Sequence, residues 1–126
     1  MNETTALSLL DAYDAACELE LMVRNVSLED YLLDRKLHLA AENLLIKTGE
    51  ALSQARKWDP EIVDAIPNAH AAVGMRNFVI HEYRRVDEEI IWSTAVGEVP
   101  ILRAELGYVL VQAGYDISEP ADQQPG

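Results

Sequence analysis

Leu37-His38-Leu39-Ala40-Ala41-Glu42-Asn43-Leu44-Leu45-Ile46-Lys47-Thr48-Gly49-Glu50-Ala51-Leu52-Ser53-Gln54-Ala55 is the stretch on which the fold class turns. Leu37, Ala41, Leu44, Leu45, Ala51, Leu52 and Ala55 recur at intervals that keep them on one face of a helix. Upstream, Ser27 is placed to cap this helix, with Asp30 in the capping-box position usually held by Glu or Gln. The reading is one long helix from Ser27 to about Lys57. Before it, residues 4–25 place Ala6, Leu10, Tyr13, Cys17 and Leu21 on a second helical stripe.

Downstream, Asp59-Pro60 restarts a helix, Asp as cap and Pro as first residue. The piece is short, because Pro67 disfavours a helical Ile66. A further helix spans Asn68 to about Tyr83, and another runs from Asp87 to about Val96, with a break or kink expected at Gly97 and Pro100. Leu102, Leu106, Val109, Leu110 and Ala113 make the last stripe. No strand alternation is present. The expectation is an all-α bundle of four principal helices and a short extra one, with residues 1–117 as one domain. Residues 118–126 are too polar to fold and are expected to be a mobile tail.

The totals narrow the function classes. A single Cys17 rules out an internal disulfide, and its place on an apolar stripe makes it a small buried hydrophobe. No apolar run reaches the ~18 residues of a membrane span. The first residues lack a basic segment, so the expected compartment is the reducing cytoplasm, with no membrane partner. A formal charge of −12 argues against a molecule that binds nucleic acid over its whole surface, but not against a local site.

Such a site is marked by Arg76-Asn77-Phe78-Val79-Ile80-His81-Glu82-Tyr83, followed by Arg84 and Arg85. Residues 76–85 hold three Arg against one Glu, a basic island in an acidic chain. Arg76 falls at a position the apolar stripe Ala69, Ala72, Val73, Ile80 assigns to a buried face, so its charge must be paired or line a polar cleft. Asn77 and His81, four apart, share a second stripe with Gly74 and can touch; Gly74 leaves room for a backbone or ligand. Arg fits phosphate in fork geometry, and His moves protons near neutral pH. On one helix, however, Arg76 and His81 lie roughly 140° apart around the axis and about 7.5 Å apart along it. A two-fold pairing of chains would bring two copies of each to one phosphodiester. One His81 would take the 2′-hydroxyl proton of RNA, the other would protonate the leaving 5′-oxygen, and Arg76 would stabilise phosphoryl charge. The products would be a 2′,3′-cyclic phosphate and a 5′-hydroxyl.

Blander readings stand beside these. Tyr83 fits a packing residue with a hydrogen-bonded hydroxyl, and Arg84 and Arg85 fit solvated surface as well as RNA phosphate contacts. Trp92 reads as core, and His38 and His70 as unremarkable. Metal ligation finds no pattern: the residues three before the histidines are Arg35, Pro67 and Phe78, not Glu, and one Cys makes no zinc spacing. No cofactor and no metal are expected.

The segment Gly74-Met75-Arg76-Asn77 … Ile80-His81-Glu82-Tyr83 … Val86-Asp87 … Ile90 … Trp92 … Thr94 resembles the HepT-type HEPN toxins. Tyr31-Leu32, Asp34-Arg35-Lys36, Glu42, Gly49-Glu50-Ala51 and Ile66-Pro67 agree, so the likeness spans about residues 28–110; Asn68-Ala69 departs from the family's usual Trp region. The resemblance implies a HEPN four-helix homodimer acting as a metal-independent ribonuclease on messenger or transfer RNA, within a type VII-like toxin–antitoxin pair. By the same resemblance Arg76 and His81 are catalytic, Asn77 supports them, and Tyr83 is the residue that an MNT nucleotidyltransferase antitoxin modifies with AMP. The competing class is a non-catalytic helical dimer that docks or assists a nucleotidyltransferase, or serves as a scaffold.

Overall fold

In the computed structural model, which describes residues 1–82 and 84–117, seven α-helices and one π-helical turn carry the chain. Among the described residues there is no strand. The expected tail at 118–126 lies outside them, as does Tyr83.

Helix α1 (Glu3–Val23) starts where the Asn2 side chain accepts a hydrogen bond from the Thr4 amide at 2.7 Å. The stripe read from its sequence covers only part of what is buried. Ala6, Tyr13 and Cys17 are inside, but so are Leu9, Ala12, Ala15, Ala16 and Leu19. Small residues around most of its girth let α1 lie at the centre, with α3 on one side and α7 on another. Cys17 is buried, and that burial raises its thiol above the ordinary range, so it packs as a hydrophobe. Asn25, in the left-handed region at φ 62°, then turns the chain.

The single long helix expected from Ser27 onward is two helices. The Ser27 hydroxyl caps only α2 (Leu28–Leu32), accepting from the Asp30 amide at 3.1 Å. Asp34 then caps α3 (Arg35–Trp58), accepting from the Leu37 amide at 3.1 Å. A short acidic side chain that bonds nearby backbone amides starts a new helix as readily as it sits inside one. The break is fastened by His38, whose Nε2 donates to the Tyr31 carbonyl at 2.8 Å. His38 is 9% exposed, so the residue that looked ordinary on a charged helix is a buried strut.

Pro60 opens α4 (Pro60–Asp64) as expected, but Asp59 does not cap it with its side chain. Its Oδ2 accepts instead from the Thr5 hydroxyl at 2.7 Å and the Asn2 amide at 3.0 Å, tying the start of α1 to the α3–α4 corner. Helix α5 (Ala69–His81) packs against α3. After α6 (Glu88–Ser93), capped by Asp87, no break occurs at Gly97. The chain widens into a π-turn (Thr94–Glu98) and continues as α7 (Val99–Gln112). Pro100 sits in the first turn of α7, where a missing N–H costs little. Gly114, at φ 92°, ends α7 in a Schellman arrangement, with Tyr115 N–H on the Leu110 carbonyl and Gly114 N–H on Val111.

The architecture is thus the expected all-α four-helix bundle, built from α1, α3, α5 and α7, with α2, α4 and α6 at its corners. Leu9, Tyr13, Leu52, Ile66, Leu106 and Leu110 fill one end of the core; Leu19, Tyr31, Leu44, Leu45, Val79 and Ile91 fill the other. Trp92 is half-buried beside the second cluster, its indole N–H on the Val26 carbonyl at 3.0 Å. Among the described residues no helix is long and apolar enough to cross a membrane.

Candidate active site

The close approach of α3 and α5 positions the first site residue. A Cβ at Gly49 would stand 2.4 Å from the Arg76 Cβ and 3.1 Å from the Ala72 carbonyl oxygen, so only glycine lets these helices meet here. Gly74, the glycine expected to admit a neighbour, faces open space. The register that places Gly49 under Arg76 also brings up Glu50. Arg76 Nε donates to Glu50 Oε1 at 2.8 Å, Nη2 closes on the same oxygen, and Nη1 donates to Asn77 Oδ1 at 2.7 Å.

The charge that the apolar stripe seemed to bury is therefore paired, and its side chain stays 27% exposed. A guanidinium carries five N–H donors. Glu50 and Asn77 together engage three, which fixes the plane of the fork and leaves the two remaining for an anion.

Asn77 and His81 do not pair as the four-residue spacing allowed. The recorded partner of the Asn77 oxygen is Arg76, so the amide orients the cation rather than the imidazole. His81 is the last residue of α5 and is exposed. Arg84 and Arg85 follow in the exposed connection to α6, where the Arg85 amide donates to the Glu82 carbonyl at 2.8 Å. The structure thus joins Arg76 to Asn77, leaves His81 on the open face of the helix end, and does not describe Tyr83.

Two groups that include residues carrying the resemblance were given no role in the sequence reading. Glu50 is one. Its local signal is a carboxylate beside a glycine on the helix that must face α5. The other is a part-buried polar cluster at the start of α6. The Tyr31 hydroxyl, fully buried, donates to Glu88 Oε1 at 2.8 Å. Burial, and then that carboxylate, keep the phenol well above its usual range, so it remains a donor. Glu42 faces the same Glu88. Burial first, then the hydrogen bond and charge of Glu88, push its carboxyl up to about 7, against the opposing pull of Arg35. Tyr31 and Glu42 thus grip the first turn of α6, directly after residues 82–87.

Among the described residues no group of three or more His, Cys, Asp or Glu converges as metal ligands. What the arrangement offers is a clamped guanidinium within α5 and an exposed imidazole at the end of the same helix.

The profile of the family described as "Ribonuclease HepT-like" matches residues 12–109. A protein of Caldanaerobacter subterraneus subsp. tengcongensis, provisionally named an RNase, is 35% identical over 88 residues, 70% of this chain and 78% of its own length. A protein of Thermococcus cleftensis, provisionally named ribonuclease HepT, is 30% identical over 97 residues, 77% of this chain and 87% of its own. A provisionally named RNase of Methanocaldococcus jannaschii is 30% identical over 87 residues, 69% of this chain and 71% of its own. No solved structure matches the chain.

Proposed function

The chain belongs to the HepT-like ribonuclease family, and from that premise we propose that it is a metal-independent endoribonuclease toxin whose active site is shared across a homodimer. One observation carries the reading: Glu50 and Asn77 hold the Arg76 fork on the helix whose last residue, His81, stands exposed. A guanidinium that must meet a phosphoryl group in a set orientation gains from such a clamp, because preorganised charge stabilises a transition state without reorganising during the reaction.

Within one chain His81 sits roughly 7.5 Å further along the helix than Arg76 and about 140° around it. A second chain related by a two-fold axis supplies the missing reach. One His81 removes the proton from an RNA 2′-hydroxyl, that oxygen attacks phosphorus, and the second His81 protonates the departing 5′-oxygen. Arg76 neutralises charge on the phosphoryl oxygens, and the products carry a 2′,3′-cyclic phosphate and a 5′-hydroxyl.

Control follows the same chemistry. An MNT-type antitoxin attaches AMP to Tyr83, two residues past His81, and the added phosphodiester occupies cations that otherwise receive RNA.

Cleavage of defined RNA by the purified protein, with product ends analysed by mass spectrometry, tests the activity. The His81→Ala protein is expected to remain folded and to lose cleavage, and all-DNA substrate is expected to stay intact; efficient cutting of DNA overturns the mechanism. Tyr83→Phe is expected to stay toxic in cells and to take no AMP when coexpressed with the nucleotidyltransferase. Neutralisation of that variant by the partner points to inhibition by simple binding.

A further inference from the structure

The charges of this molecule are sorted by helix. Helix α1 carries five carboxylates and no Lys or Arg. Helix α3 carries five cations (Arg35, Lys36, Lys47, Arg56, Lys57) against Glu42 and Glu50, and α5 adds Arg76, so the packed α3–α5 pair is formally +4 in a chain of −12. The two helices run in opposite directions along their contact: Gly49 lies under Arg76, and further along, Arg56 and His70 meet on Asp64. That second meeting point is a groove lined by Ser53, Arg56, Lys57, His70 and Val73.

The geometry points to a second RNA phosphate subsite in this groove, formed by Arg56, Lys57 and His70 and lying along the α3–α5 seam from Arg76. It rests on the ribonuclease reading given above and extends it. His70 and Asn77, which holds the Arg76 fork, lie seven residues apart on one face of α5, roughly 10 Å along the helix, so a strand whose scissile phosphate meets that fork passes this groove a nucleotide or two away.

The groups are built for it. Ser53 supplies a hydroxyl, and among the described residues Lys57 has no ion-pair partner. Arg56 is held in fork geometry by Asp64, Nε to Oδ1 at 2.8 Å and Nη2 to Oδ2 at 3.1 Å. His70 Nε2 lies 3.1 Å from the same Oδ1. Asp64 thus gathers the Arg56 guanidinium and the His70 imidazole at the groove and offsets positive charge there, acting as a brake on anion binding. Arg56 and His70 are both well exposed, so the groove is open to a strand.

The test measures binding of a labelled 20-nucleotide single-stranded RNA by anisotropy across a salt series. It uses the full-length His81→Ala chain, so that RNA is bound and not cut. In that background Arg56→Gln with Lys57→Gln is expected to weaken binding on the order of tenfold. It should also flatten the slope of log affinity against log salt by about 1.4, since each single-strand phosphate contact contributes roughly 0.7. Asp64→Asn is expected to bind the same RNA more tightly, a gain that misfolding cannot produce. In the His81-intact protein, cleavage of a dinucleotide is expected to be unchanged by all three substitutions, since it is too short to reach the groove. A parental slope in the double variant, or no gain in Asp64→Asn, overturns the subsite while leaving the ribonuclease reading intact. A changed oligomeric state by sedimentation with an unchanged RNA slope makes the seam a protein interface and also overturns it. A parent that neither binds nor cuts RNA removes both.

Discussion

Gly49 shows how one missing methyl sets the geometry of a site. Any side chain there drives into Arg76 Cβ and the Ala72 carbonyl, neither of which is the free end of a flexible chain. Gly49→Ala is expected to force α3 and α5 apart, at a cost of about 1–3 kcal/mol by overpacking. The larger effect falls on catalysis, because the Glu50–Arg76 register moves with the helices. Urea unfolding should show the modest loss of stability and RNA cleavage a loss beyond tenfold; unchanged cleavage would separate the clamp from the chemistry. The need for such a clamp was legible, since Arg76 interrupts an apolar stripe. Its identity was not. Glu50 lies 26 residues away, and the pairing depends on how α3 and α5 are set against each other, which no local pattern encodes.

Helix boundaries divide the same way. The helix start at Pro60, a helix start at Ser27 and the Leu102–Leu106–Leu110 stripe were readable because their causes are local, although Asp59 turns its side chain to Thr5 and Ser27 caps only the short α2. The break at Asp34 was not, because it is stabilised by His38 reaching the Tyr31 carbonyl inside the bundle. The π-turn at Thr94–Glu98 was read as a break or kink, since Gly97 and Pro100 signal interruption but not its form. Helices α2, α3 and α6 meet at the Tyr31–Glu88–Glu42 cluster, which carries a pH dependence of its own. Glu42 is pushed up to about 7 from 4.5, so between those values the folded chain binds more protons than the unfolded one. Stability is then full below the lower value and falls as pH rises through the window. Glu42→Gln is expected to flatten that fall and to raise Tm at pH 8 relative to the parent, while leaving it nearly unchanged at pH 4. Thermal unfolding followed by circular dichroism at several pH values checks this; an equal slope in both proteins would show that Glu42 ionises freely.

For the whole molecule, the all-α fold followed from periodicity alone, whereas the sorting of charge between α1 and the α3–α5 pair acquires meaning only once the helices are placed. The proposed dimer makes a stoichiometric prediction at this scale. If a site requires both imidazoles, subunit exchange between parent and His81→Ala protein at equal amounts leaves only parental pairs active, about one quarter of the starting activity per total subunit. If each subunit cuts alone, about one half remains. Cleavage rates after equilibrated mixing distinguish these values, and one half rules out the shared site.

The indole at the end of α3 gives this protein a built-in optical reporter. Trp58 is 55% exposed and directly follows Lys57, whereas the indole N–H of Trp92 is tied to the Val26 carbonyl in a partly buried position. The two indoles sit in different surroundings, so Trp58 is expected to emit at longer wavelength and to be quenched more readily by iodide. If RNA fills the proposed groove beside Lys57, selective shielding of the long-wavelength component is the expected outcome, read in the native chain without a label.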